Sequence, residues 1–389
     1  MKKVVIVGGG LAGLSAAREL ERGGIRPLLI EKSNEVGGRV ATEALDGYLL
    51  DVGFQVLLDS YPEIGLEWKR ALDLAPYETG ARIKMEGKWQ VVANPFTHPS
   101  LFSQLPQGSL KGAAAVLASL LQKPQGQSTD AFINALSADQ TWLDAFLKPF
   151  FRGVLLDPDL EAEASRYQML LRFFLKGKAC LPKKGMQAIP LWLKKQLKTT
   201  DVRCKTEAVS LEKNCLTLHT NETIEADFIL LALPLPAMQK LLPGIPCVKS
   251  LSTTCDYFTL EKRLPKMDRF LWLDGSREAP VNNFSFPGEV QPSYSARDKP
   301  LLSATALSSP PSIEQVQDYL ASELGVSIKA LKPLKRYTID HALPDQSRPP
   351  SLENFFEEHT FLAGEAVSPP SINDAIASGK KAAEKMLDI

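Results

Sequence analysis

Residues 4–31, VVIVGGGLAGLSAARELERGGIRPLLIE, decide the fold class. Val4-Val5-Ile6-Val7 is an unbroken apolar, largely β-branched run, the composition of a parallel strand buried on both faces. It leads straight into Gly8-Gly9-Gly10-Leu11-Ala12-Gly13, a G-x-G-x-x-G motif. Leu14, Ala17 and Leu20 then recur at helical spacing, with Arg18, Glu19, Glu21 and Arg22 off that face, and Gly23-Gly24 stops the helix. Leu28-Leu29-Ile30 predicts a second short strand, with Glu31 and Lys32 at its carboxyl end. Strand, glycines, helix, strand and acid form the context in which such a motif binds a dinucleotide. Gly8 permits the tight turn, Gly10 admits a pyrophosphate to the backbone, and Gly13 lets helix close on strand. The helix N-terminus at Leu11 and Ala12 offers N–H groups and partial positive charge to that pyrophosphate. Glu31 is expected to accept hydrogen bonds from the adenosine ribose and to disfavour a 2′-phosphate, hence NADP.

The 389 residues suggest two or three domains, or one large α/β body with insertions. Apolar residues at 44% and charged residues at 23% are ordinary for a soluble globular chain. Forty-five basic and 45 acidic side chains cancel, which removes the electrostatic footprint of nucleic-acid binding. Cysteines 180, 204, 215, 247 and 255 form no C-x-x-C pair, and with four scattered histidines they give no metal-ligand spacing. No metal is therefore expected, and reduced thiols in the cytoplasm are the default. Lys2-Lys3 before an apolar run mimics a signal peptide, but the run is short and Gly-rich and has a better use as a strand. No apolar stretch approaches the ~20 residues needed to span a bilayer.

Beyond Glu31 the chain reads KSNEVGGRVATEALDGYLLDVGFQVL, residues 32–57. Gly37-Gly38-Arg39 follows the acid too soon for a simple NAD domain. This stretch resembles the GGR element of the flavin amine oxidase superfamily, which includes monoamine oxidases, protoporphyrinogen oxidases and phytoene-type desaturases. The resemblance implies FAD, with the loop of Gly38, Arg39 and Val40 wrapping the cofactor and Arg39 approaching the pyrophosphate. Arginine suits that place because its planar fork of donors matches phosphate oxygens. Asp51-Val52-Gly53-Phe54-Gln55 looks like the family's D-x-G turn beside the isoalloxazine. Residues 226–234, ADFILLALP, are similar to the strand before the adenine-side loop and contain Ala232. The stretch before it reads as a hairpin with an Asn221-Glu222 turn. Val209 there matches a position whose backbone contacts adenine. Residues 361–387, FLAGEAVSPPSINDAIASGKKAAEKML, match the closing flavin motif. In it Gly364-Glu365 is expected at the ribityl chain or pyrophosphate, and Ser371 with Asp374 gives an S-x-x-D helix start. Ile372, Asn373 and Ala375 are expected at the flavin, with free N–H groups at 373–375 aimed at N1 and O2. A thioether tether in this family comes from the C-terminal region, and no cysteine follows Cys255, so the resemblance implies non-covalent FAD.

The fold class expected is α/β, with a Rossmann-like FAD-binding domain of the GR2-type parallel sheet interleaved with an α+β substrate domain. Residues 1–75, 196–245 and 351–389 would form the first, and residues 76–195 and 246–350 the second. Residues 76–195 show helical spacing and 246–350 strand patterning, as a six- or seven-stranded sheet flanked by helices needs. Residues 149–197 and 281–307 resemble desaturase-like and protoporphyrinogen-oxidase-like members more than amine oxidases. Ser252-Thr253-Thr254-Cys255-Asp256 lacks the lysine that amine oxidases place there, and Pro369-Pro370-Ser371 lacks their caging aromatic. The substrate expected is therefore a lipophilic small molecule, oxidised by hydride transfer to FAD. No second G-x-G-x-x-G is present for a nicotinamide. No catalytic residue is singled out, since His341 and Tyr337 read as core or loop. Two other classes stay open, a redox-neutral flavin isomerase or mutase and a non-catalytic FAD-binding assembly protein. Residues 110–121 and 166–178 pattern either as inward-packing helices or as peripheral membrane contacts.

Overall fold

The computed structural model describes residues 2–93, 105–296, 299–307, 310–347, 352 and 359–389. The boundary expected at residue 351, and Arg297 and Asp298 of the 281–307 stretch, lie outside them. Five strands form one parallel sheet in the order Asp201–Arg203, Leu28–Ile30, Val4–Val7, Phe228–Leu231, Thr360–Leu362. Period-two alternation sends Val4, Ile6, Leu29 and Leu230 into one core and Val5, Val7, Ile229 and Leu231 into another. That double burial is why these strands read as continuous apolar runs.

On the first face the helix Leu11–Arg22 lies against the closing helix Ile372–Asp388. Gly379 makes the approach possible, because a Cβ there would sit 2.1 Å from the Ala12 carbonyl oxygen. Ser15 Oγ donates to the Ile376 carbonyl at 2.7 Å and fixes the register. The helix Ala188–Gln196 joins this face, where Trp192 stacks on Trp68 with ring centroids 4.2 Å apart. The other face is covered by the helix Leu235–Leu241 and a three-stranded meander, Ala208–Glu212, Cys215–Leu218 and Thr223–Glu225. The hairpin expected around Asn221 is present, with Asn221 at φ +66°. A further turn with Lys213 at φ +55° adds a strand, although no glycine marks it.

A seven-stranded mixed sheet draws on both insertions, in the order Leu331–Pro344, Ser250–Leu260, Leu301–Leu307, Asn283–Ser285, Leu271–Leu273, Gly80–Met85, Lys88–Ala93. Only the pair Leu271–Leu273 and Gly80–Met85 runs parallel among them. One face packs Phe258, Trp272 and Phe284 under the helix Ile313–Leu324. At one end of the other face, Ala81, Ile83 and Leu273 meet the helices of residues 109–176. In Ser109–Ser119, Gly112, Val116 and Ser119 turn inward while Leu110 and Leu117 stay exposed, as do Leu121 just beyond it and Leu175 on Ala164–Lys176. Inward packing and an apolar surface thus occupy opposite sides of the same segment. Among the described residues no helix is long and apolar enough to cross a membrane.

The helix contact gives a first prediction. Alanine at 379 gains at most ~1 kcal/mol of helix propensity, but its methyl meets backbone that cannot rotate away, at a typical overpacking cost of ~1–3 kcal/mol. Gly379→Ala should therefore lower the melting temperature by a few degrees, and a rise in the thermal melt would refute the contact.

Candidate cofactor and substrate site

The parallel strands end side by side, and their carboxyl ends assemble the site. Gly8 N donates to Ile30 O at 2.9 Å, Ala232 N to Val7 O at 2.9 Å, and Ala363 N to Leu231 O at 3.0 Å. Gly8, Glu31, Ala232 and Gly364 thus leave the same edge of the sheet. Gly8 has φ +108°, and a Cβ on it would lie 2.4 Å from Ala232 O. A Cβ on Gly13 would lie 2.0 Å from Gly8 O, whereas one on Gly10 would meet nothing within 4 Å. Two glycines therefore pack backbone on backbone, and the third leaves a path to the helix start at Leu11 and Ala12. Gly364 and Ala12 face each other there, with φ +84° at Gly364.

Glu31 is buried; its Oε2 accepts from Gly9 N at 2.7 Å and its Oε1 from Ser33 N at 2.8 Å. Lys32 beside it is exposed. Residues 203–206 run alongside, with Thr206 N donating to Glu31 O and Lys205 N to Ser33 O, both at 2.9 Å. Val209 stands just beyond, 48% exposed, on the meander.

Gly37 N donates to Gly9 O at 2.9 Å, which pins the GGR loop onto the glycine turn, and Gly38 takes φ +58°. Val40 is buried and Arg39 reaches across to the closing segment. Its Nη1 lies 2.6 Å from Glu365 Oε2 and donates to Ala342 O at 2.9 Å. Glu365 is buried, and its Oε1 accepts from Leu235 N at 2.9 Å. Gln55 Nε2 donates to Arg39 O and Val52 O, at 2.8 and 2.9 Å. Gly53 has φ +92°, and a Cβ on it would stand 2.8 Å from Ile339 Cδ1 of the mixed sheet. Phe54 meets Tyr77 edge-on with centroids 6.3 Å apart.

At the closing helix, Ser371 Oγ accepts from Asp374 N at 2.9 Å, as its S-x-x-D start predicts. The expectation of free N–H groups throughout 373–375 is corrected here. Asp374 N is taken by that cap, and Ala375 N donates to Ser371 O at 3.0 Å as the first turn closes. Asn373 is buried and its Oδ1 accepts from Glu63 N at 3.2 Å, while Ile372 and Ala375 rest on the core of the parallel sheet.

Two further groups are supplied by tertiary structure. Arg166 lines a cleft with Glu365, Gln346, Ser368, Pro369 and Pro370, and its Nε donates to Gln346 Oε1 at 3.2 Å. Burial pulls its guanidinium below the usual range, against the opposing charge of Asp374 and Tyr61. Nothing in the helical spacing of residues 166–178 marked it. Asp51, the acid of the D-x-G turn, accepts from Thr42 Oγ1 at 2.5 Å, Tyr294 OH at 2.8 Å and Met186 N at 2.9 Å. Burial raises its carboxyl to about 6, against these hydrogen bonds. Tyr337, on the long strand, donates to Glu43 Oε2 at 2.7 Å.

These residues fit an extended dinucleotide: a buried acid at one strand end, open backbone at Gly10, the Arg39–Glu365 pair, and a cleft beyond Glu365. The family model for flavin-containing amine oxidoreductases matches residues 11–387. Pseudooxynicotine dehydrogenase of a Pseudomonas species is 38% identical over 82 residues, 19% of this chain and 16% of that protein. Coproporphyrinogen III oxidase of Bacillus subtilis is 24% identical over 311 residues, 64% of this chain and 63% of that protein. The chain thus spans less than two thirds of the length of either. An oxidoreductase from Methanosarcina mazei superposes with a TM-score of 0.76 at 15% identity, covering 98% of this chain and 100% of that one.

The glycines separate fold from cofactor. Gly13→Ala should destabilise the protein, whereas Gly10→Ala should leave the melting temperature of FAD-free protein unchanged and cut FAD retention. Equal behaviour of the two in melts and flavin absorbance would refute the assignment. Asp51 gives a pH signature. Its carboxyl is raised from 3.8 to about 6 in the folded chain, so its contribution is fully present below pH 3.8 and lost as pH rises through 6. Wild type should lose about 3 kcal/mol relative to Asp51→Asn across that window. Denaturant unfolding from pH 4 to 7.5 reads this, and a pH-independent difference would refute it.

Proposed function

The chain belongs to the flavin-containing amine oxidoreductase family, and from that premise we propose that it is an FAD-dependent oxidoreductase acting on an apolar small molecule. The observation that carries this reading is the common edge at which Gly8, Gly10, Glu31, Ala232, Gly364 and the Arg39–Glu365 pair meet. FAD supplies the hydride acceptor when bound. The chain's part is to hold and orient: Glu31 for the ribose, open backbone at Gly10 and the start of Leu11–Arg22 for the pyrophosphate. Gly53, Phe54 and Gln55 hold the turn between Arg39 and the mixed sheet. Positioning of this kind supplies most of a protein's contribution to hydride transfer.

An apolar substrate is favoured over a primary amine by the strand Ser250–Leu260, which carries no lysine and turns Thr253, Cys255 and Tyr257 to one face, where Tyr257 OH donates to Asp51 O at 2.9 Å. The helical insertion adds a mutually packed set of aromatics, Phe146, Phe150, Phe151 and Phe174. Non-covalent attachment agrees with Cys255, the last cysteine of the chain, being buried with its Sγ 3.3 Å from Ser303 Oγ. The test is anaerobic titration of yellow holoprotein with polyenes, quinols and reduced tetrapyrroles against benzylamine and putrescine. Bleaching of the flavin band is expected from a member of the first group alone. A colourless protein indifferent to FAD, or bleaching by the amines only, would overturn the proposal.

A further inference from the structure

The helical insertion buries one side of two neighbouring helices and leaves the other side bare. On Ser109–Ser119 and the turn that follows it, Leu110, Leu117 and Leu121 are 59%, 54% and 88% exposed. Spacings of seven and eleven residues return to the same helix face, and Ala114 between them is exposed as well. The helix cannot roll to bury these leucines. Its opposite face lies on Trp142, where a Cβ on Gly112 would be 2.5 Å from the ring carbon Cε3. The helix Ala164–Lys176 runs alongside. Gln168 Nε2 donates to Gln122 O at 2.8 Å, and Arg172 Nη2 to Leu120 O at 3.1 Å. One turn past Arg172, Leu175 is 51% exposed, while its neighbour Phe174 meets Phe150 in the interior with centroids 4.9 Å apart. Four leucines on two joined helices thus stand in solvent on one side of the insertion.

Charge around this face is one-sided, although the whole chain carries 45 basic and 45 acidic residues. Lys111, Lys123, Arg172, Lys176 and Lys178 are all exposed, and none forms an ion pair among the described residues. Residues 109–127 and 164–178 contain no acid. Asp139, beside Gly108, and Asp59, which accepts from Lys178 N at 2.7 Å, stand at the two ends. Cations rimming an exposed apolar face are the composition of a surface that lies in a lipid interface. A helix of 11 residues is too short to cross a bilayer, so any such contact is with one leaflet. A second copy placed on this face by a two-fold axis would set the cations against their own images, which like-charge repulsion opposes. An anionic leaflet offers charge of the other sign with hydrocarbon beneath it.

We propose that the face of Leu110, Leu117, Leu121 and Leu175 docks the protein on an anionic lipid surface. This goes beyond the oxidoreductase reading and does not depend on it.

The test is co-sedimentation of the protein as purified with vesicles of phosphatidylcholine alone or mixed equally with phosphatidylglycerol. At low salt, partitioning onto the mixed vesicles should exceed that onto phosphatidylcholine by at least ~10-fold. Each cation near such a surface is worth about five-fold, so Lys111→Gln with Lys123→Gln should lose about 25-fold. Leu117→Ser with Leu121→Ser should lose at least ~10-fold. Both double variants should keep the wild-type melting temperature, because the altered side chains sit in water. Leu66→Ser, at a leucine 71% exposed on the separate helix Leu66–Leu72, should partition as wild type does. No preference for anionic vesicles, binding that survives the leucine pair, or an equal loss in Leu66→Ser would overturn the proposal. So would a dimer in sedimentation velocity that the leucine pair dissociates, since the face would then belong to a second copy. Flavin absorbance, recorded before vesicles are added, reports separately on the cofactor reading.

Discussion

Backbone lying directly on backbone joins the two ends of this chain. Gly13 closes on the Gly8 carbonyl and Gly379 on the Ala12 carbonyl, at distances no Cβ could occupy. The first contact seats the helix Leu11–Arg22 on its strand, and the second seats the closing helix on that helix. A segment from the C-terminus, Gly364-Glu365, is thereby brought to a turn built by residues 8–13. Separation by most of the chain's length makes this junction costly in entropy, and the apolar area buried around Leu14, Ala17, Ile376 and Ala383 offsets that cost.

Electrostatics then adjusts what packing has placed. Glu365 is almost wholly buried, while its partner Arg39 keeps 40% of its side chain exposed. An isolated buried carboxylate would be strongly disfavoured, so the pair and the Leu235 N–H together make the charge tenable. The same two contacts tie the GGR loop and the 232–235 turn to the closing segment. At Asp51 three hydrogen bonds, from two hydroxyls and a backbone amide, support the charge, yet burial outweighs them and raises its carboxyl to about 6.

Legibility from sequence followed the range of the interactions involved. The strands Val4–Val7 and Phe228–Leu231 were plain because double burial demands apolar residues at every position. Gly8, Gly10 and Gly13 were plain because each relieves a local backbone requirement, as was the Ser371 cap. The same local rule corrects the expectation of free N–H groups at 374 and 375, since the cap and first turn consume them. The extra strand Ala208–Glu212 was hidden because Lys213 enters a left-handed turn without a glycine to announce it. Arg166 was illegible for another reason: it acquires its meaning from residues distant in the chain, Gln346 and Glu365.

That last distinction bears on substrate chemistry. Motif reading favours an apolar ligand because it notes what is missing, a lysine on one strand and an aromatic in the closing segment. The sheet adds the complementary fact that the cross-strand row Tyr337, Cys255, Thr305, Asn283, Leu273 is polar at its centre and apolar at its far end. The aromatic set of the helical insertion lies toward that far end.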